Sequence, residues 1–152
     1  AYMVEQAVEA EINRRGIDRA DAHQLAAVRN AVGRFWAPPS PDPSTPPPHS
    51  TGAAVDLTLA SQRDGITLAM GGAIDAVDVI SEPDHYAGAA QNTEAATWHQ
   101  RRQLLASVME AAGFAQHPNE WWHFSHGDQL WAWTTGASTA IYAAAPSSSL
   151  TA

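Results

Sequence analysis

The stretch HPNEWWHFSHGD, residues 117–128, sets a carboxylate, Glu120, three positions before an imidazole, His123, within a run of aromatic side chains. Such a pair can work as a general base beside a metal ligand. In a regular strand, residues three apart point to opposite faces, so a cooperating Glu120 must sit off the ladder. Pro118 and Asn119 supply that irregularity, because proline lacks a ladder donor and asparagine tolerates turn geometry. The segment is therefore expected to be a loop feeding a strand, with Trp121, Trp122, His123 and Phe124 on a half-buried pleated surface. A packed aromatic strand with one core histidine would explain these residues equally well, and a second stretch is needed to decide.

That stretch is HSTGAAVDLTLA, from His49 to Ala60. Val55, Leu57 and Leu59 alternate with Asp56 and Thr58, the two-residue period of a strand that carries Asp56 on its polar face. His49 stands at the mouth of the preceding loop, and Gly52 lets the loop fold back. If the strands of Asp56 and His123 are neighbours, two imidazoles and one carboxylate converge. That donor set, with an open fourth position, is typical of catalytic zinc, although other transition metals accept it. Zinc would lower the pKa of a coordinated water to about 7, and Glu120 would take its proton.

Composition limits the alternatives. A chain of 152 residues with 45% hydrophobic content can build one domain with a real core, whereas two would be crowded. Its formal net charge of −8 argues against nucleic acid or an anionic membrane as partner. All basic residues are arginines, and they are scattered. With no cysteine, disulfides, thiolate nucleophiles and cysteine-ligated zinc are excluded, so any metal must use His, Asp or Glu. No apolar run approaches the ~20 residues of a membrane helix, and the expectation is a soluble chain.

The positioning elements follow in order. Val4, Val8 and Ile12 recur every four residues and predict an amphipathic helix from Tyr2 to Arg15, ending at Gly16. Asp18 is the expected N-cap of a second helix with Leu25, Val28, Val32 and Phe35 as its apolar stripe. Residues 37–48, with seven prolines in twelve, should form a stiff extended surface loop that delivers His49. The Asp-Gly turn in residues 61–65 predicts a hairpin that returns through residues 66–70. Thr93 should cap a third helix, with Trp98, Leu105, Val108, Met109 and Ala112 on one face. After a turn at 126–128, Leu130, Ala132 and Thr134 alternate with Trp131 and Trp133 and predict a final strand. Residues 136–152 are expected to be a loose tail. The sum is an α+β domain with helices packed on a small antiparallel sheet that carries the zinc site.

Among the other histidines, His85 fits a surface turn, His99 a solvated helix position and His126 a turn, while His117 flanks the working pair. None is assigned a role, and Arg14, Arg15, Arg19, Arg29 and Arg34 are left as helix-surface charges.

HSTGAAVDLTL together with EWWHF resembles the zinc D-alanyl-D-alanine dipeptidases, the peptidase family M15 group that includes the vancomycin-resistance dipeptidase, and the resemblance covers most of the chain. It implies one zinc ion on His49, Asp56 and His123, with Glu120 as catalytic base. MGGAID, residues 70–75, resembles the family's stretch after the first ligand strand and implies that Asp75 contacts the free ammonium group of the dipeptide. The implied activity is hydrolysis of D-alanyl-D-alanine in cell-wall precursor metabolism, in the bacterial cytoplasm or periplasm. D,D- or L,D-carboxypeptidases acting on peptidoglycan stems share the ligand set, and the Trp121–Trp122 doublet favours the dipeptidase branch. One departure stands out. Family members carry a transition-state arginine in a short Tyr-Arg-Pro motif upstream of the first helix, whereas this sequence opens with AYMVEQAVEAEI. The resemblance thus implies a single peptidase domain over residues 1–152 lacking its N-terminal part, and a catalytically inactive metal-binding module is the remaining alternative. Losing one such donor typically costs about 10²–10³ in turnover.

Overall fold

The structure is a computed structural model that describes residues 2–33, 42 and 44–144. Its described elements run α1 (Tyr2–Arg15), α2 (Ala22–Gly33), β1 (Ala54–Asp56), α3 (Glu94–Ala111), β2 (Ala115–Gln116), β3 (His123–Ser125) and α4 (Gln129–Thr135). Helices on a three-stranded antiparallel sheet make this the expected α+β class.

α1 and α2 pack on each other over an apolar core that Val77 also touches. Val8, Ile12, Val28 and Val32 bury one shared stripe, with Val4, Ala7, Ile17 and Leu25 at its margin. Phe35, the predicted end of that stripe, lies outside the described residues, as do residues 37–41 and 43 of the proline-rich loop. The α2 cap is Asp21, which accepts the Gln24 N–H at 2.9 Å. Asp18 instead accepts the Ala20 N–H and shapes the turn before it. Both are aspartates ahead of the same apolar stripe, and only the chain's path selects between them.

The sheet is ordered β1-β3-β2, so β3 is central. Phe124 on β3 is fully buried and packs with Met70, Leu105, Trp121 and Trp122 in the second core. β2 is a two-residue strand with no visible period in the sequence, and it pairs with β3 through Ala115↔Ser125 and Gln116↔Phe124. The predicted return after the 61–65 turn is present but short, with one antiparallel bridge, Ala60↔Thr67, flanked by the Ser61 N–H donating to the Ile66 carbonyl at 2.8 Å and the Leu68 N–H to the Leu59 carbonyl at 2.9 Å.

Thr93 caps α3 as predicted, accepting the Ala96 N–H at 3.2 Å. Leu105 faces the core, but Val108 is 56% exposed and not on the buried face. The predicted final strand is a helix. Asp128, completely buried, accepts the Trp131 N–H at 2.8 Å and starts α4, which ends at Gly136 in the left-handed region. The Asp-x-x cap outweighs the short alternation after it. The residues after α4 do not all hang free, since the backbone N–H groups of Ile141 and Tyr142 both donate to the Gly127 carbonyl.

Candidate metal centre

The register of β1 on β3 makes the site. Asp56 pairs directly with His123, and residues opposite one another in an antiparallel ladder project from the same face. Asp56 Oδ1 lies 3.1 Å from His123 Nδ1. His49 arrives from the single helical turn Pro48–Thr51, which Gly52 ends in the left-handed conformation at φ 72°. That reversal brings His49 Nε2 to 3.3 Å from Asp56 Oδ2. The two imidazole rings meet edge to face with centroids 4.6 Å apart.

One ligand atom from each of His49, Asp56 and His123 lies within 4.8 Å of the others, so the group could hold a metal ion. Ligands about 2.0–2.1 Å from a tetrahedral ion sit ~3.3 Å apart, and each imidazole lies near that distance from a different oxygen of the Asp56 carboxylate. Outer contacts suit the same task. His123 Nε2 lies 3.3 Å from the buried Ser125 Oγ, which leaves Nδ1 turned toward Asp56.

Glu120 stands beside this group. The turn that holds it is built by His117, whose carbonyl accepts the Glu120 N–H at 3.3 Å and whose Nδ1 accepts the Asn119 N–H at 3.2 Å. Glu120 Oε2 is 3.6 Å from His123 Nδ1 and 3.9 Å from His117 Nδ1. The four residues picked from two distant stretches therefore stand together, and Glu120 is off the ladder as its spacing requires.

Charge is concentrated here without a full set of counter-charges. Burial pushes the Glu120 carboxyl up to about 8, and the Asp56 and Asp75 carboxylates add to the rise. Burial also raises Asp56, but hydrogen bonds from His123 and His49 outweigh it and hold that carboxyl well below the usual range. The Asp56 hydrogen bond raises His49 against its own burial. Burial, with His123 beside it, lowers His117 to about 4, so its ring is neutral at physiological pH. Asp75 is raised by burial and by Asp56, and it adopts a left-handed φ of 64°, rare for a side chain other than glycine. It also lines a cavity of about 520 Å³ between the segment 75–80 and α1.

Residues 14–141 match the family described as D-ala-D-ala dipeptidase. The chain belongs to that family. A D-alanyl-D-alanine dipeptidase of Synechocystis is 47% identical to it over 115 residues, covering 72% of this chain and 46% of the relative. One from Streptomyces coelicolor is 46% identical over 77 residues, covering 51% and 35%. An Enterococcus faecalis dipeptidase is 37% identical over 81 residues, covering 53% and 37%. The chain thus spans about half the length, or less, of the family relatives it matches.

Among the other histidines, His85 is exposed on a turn and meets the Tyr86 ring edge to face with centroids 4.6 Å apart. His126 packs between Phe114 and Trp131. His99 is on a helix as expected but only half-exposed, with its Nδ1 shut away from solvent. Two contributors to the site had drawn no assignment from sequence. His117 shapes the Glu120 turn, and Ser125 backs His123. Ser125 was open to discovery, since position i+2 on a strand shares the face of i. No helix among the described residues is long and apolar enough to cross a membrane.

Proposed function

We propose that this chain carries the catalytic centre of a zinc metallopeptidase that hydrolyses the dipeptide D-alanyl-D-alanine in cell-wall precursor metabolism. His49, Asp56 and His123 hold one zinc ion, Glu120 is the general base, and Asp75 binds the substrate's ammonium group. The observation that carries the reading is the cross-strand pair Asp56–His123 with His49 and Glu120 closed around it. Zinc, when bound, supplies Lewis-acid polarisation and a water that ionises near neutral pH.

The chain's own residues do the rest. Glu120 takes a proton from the attacking water and returns it to the leaving amine as the C–O bond forms and the peptide C–N bond breaks. Burial makes the Glu120 carboxyl more basic than an exposed one, and a cation beside it favours the carboxylate, the form that accepts the proton. Glu120 is also 8% exposed, which keeps bulk water from short-circuiting the transfer. Asp75 completes a cluster of three carboxylates whose mutual repulsion a substrate ammonium relieves.

The test is release of free D-alanine from D-alanyl-D-alanine by the zinc-loaded protein, with a stem pentapeptide offered in parallel. Turnover of the free dipeptide alone supports the proposal. Release from the pentapeptide alone makes the protein a carboxypeptidase, and zinc binding without either activity makes it an inactive metal-binding module.

A further inference from the structure

Arg102 is 1% exposed, and its guanidinium makes three hydrogen bonds, each to a main-chain carbonyl. Nε donates to Met70 O at 2.8 Å, Nη1 to Glu82 O at 2.9 Å and Nη2 to Ile80 O at 2.9 Å. Met70 opens and Glu82 closes one excursion of the chain, so a single planar group clamps both its ends. Asp75 stands near the middle of that excursion, at its left-handed φ of 64°. Other bonds tighten the same loop. Tyr86 Oη donates to Gly71 O at 2.6 Å, and Ser81 Oγ donates to Ala76 O at 2.5 Å. The loop is also tied to the base, because Trp121, the neighbour of Glu120, donates its N–H to Ser81 O at 2.9 Å. The guanidinium carbon lies 4.9 Å from the Tyr86 ring and 5.3 Å from the Trp121 ring, so Arg102 touches both anchors.

Stacking on rings and forking to three carbonyls needs a planar, five-donor group, and a lysine ammonium cannot reproduce it. Burial lowers Arg102 to about 10, so it stays charged at neutral pH and keeps all its donors. Asp75 in turn has no helix or strand to hold it, and backbone strain of this kind persists only where the surroundings enforce it.

We infer that Arg102 is a positioning residue for substrate recognition, fixing the 70–82 loop so that Asp75 faces the metal centre at the distance the substrate's ammonium requires. The inference rests on the dipeptidase reading and deepens it. Its test is a double-mutant cycle on the zinc holoenzyme with D-alanyl-D-alanine, using Arg102→Lys, Asp75→Asn and the pair. Arg102→Lys should raise KM about tenfold, the scale of one lost hydrogen bond to a charged group, with kcat within about twofold and zinc affinity unchanged. In the Asp75→Asn background it should raise KM no further, because a residue that acts through Asp75 has nothing left to position. Tyr86→Phe, which loosens the same loop at Gly71, should give a smaller KM rise with the same non-additivity, and it carries the test if Arg102→Lys does not fold. Additive KM effects, or a fall in kcat that tracks lost zinc, would overturn the positioning role. If the wild-type holoenzyme turns over no dipeptide, the dipeptidase reading fails separately. Amide hydrogen exchange then decides on Arg102: faster exchange confined to residues 72–81 in Arg102→Lys supports the clamp, and unchanged or uniformly faster exchange refutes it.

Discussion

Glu120→Gln separates the base from everything else in the site, because it keeps the shape of the side chain and removes only its ionisation. In the metal-free protein the Glu120 carboxyl titrates near 8 rather than at its ordinary 4.5, with burial as the main cause. Between those values the folded state binds more protons than the unfolded state, so rising pH favours unfolding. Below about 4.5 both states are protonated and the penalty is absent; above about 8 it is complete. Each tenfold displacement of the equilibrium is about 1.4 kcal/mol, so the penalty at pH 9 is on the order of 5 kcal/mol. Urea denaturation of chelator-treated protein at pH 5, 7 and 9 measures it. Glu120→Gln should gain on the wild type by several kcal/mol between pH 5 and 9, and saturating zinc should shrink that gain, since a nearby cation favours the carboxylate. A gap between the two proteins that stays level within about 1 kcal/mol across this range would show that Glu120 is neither desolvated nor near the other carboxylates. The same variant should lose about 10²–10⁴ in kcat while still binding zinc.

Three further outcomes are expected. Ser125→Ala should weaken zinc binding about 10- to 100-fold by freeing the His123 ring, as competition with a chromogenic chelator would read, whereas His123→Ala should abolish stoichiometric zinc. Asp75→Asn should raise KM for D-alanyl-D-alanine with little change in kcat, and the wild type should discriminate against the N-acetylated dipeptide, which lacks the ammonium; equal KM values for the two substrates would remove Asp75 from recognition. Phe124→Ala, at the centre of the core beneath the site, should cost about 3–5 kcal/mol in denaturant unfolding.

The sequence by itself determined which residue types could meet. Absence of cysteine restricted any metal to imidazole and carboxylate, the two-residue period put Asp56 on a polar face, and Pro118–Asn119 lifted Glu120 off the strand. The helices α1, α2 and α3 were likewise legible, because their apolar stripes are long enough for a period of 3.6 to register. Short elements were not. α4 has seven residues and looked like a strand, since two turns of helix and four alternations of strand differ too little in pattern for periodicity to separate them. β2 has two residues and no period at all. Only the tertiary structure decided the register that places Asp56 opposite His123, and a slip by one residue would have sent one of them to the other face. It alone decided that Arg102, on a helix 27 positions from Asp75 in the chain, clamps the loop that carries that carboxylate. Main-chain carbonyls are common to every residue type, so which of them a buried guanidinium will find leaves no trace in the sequence.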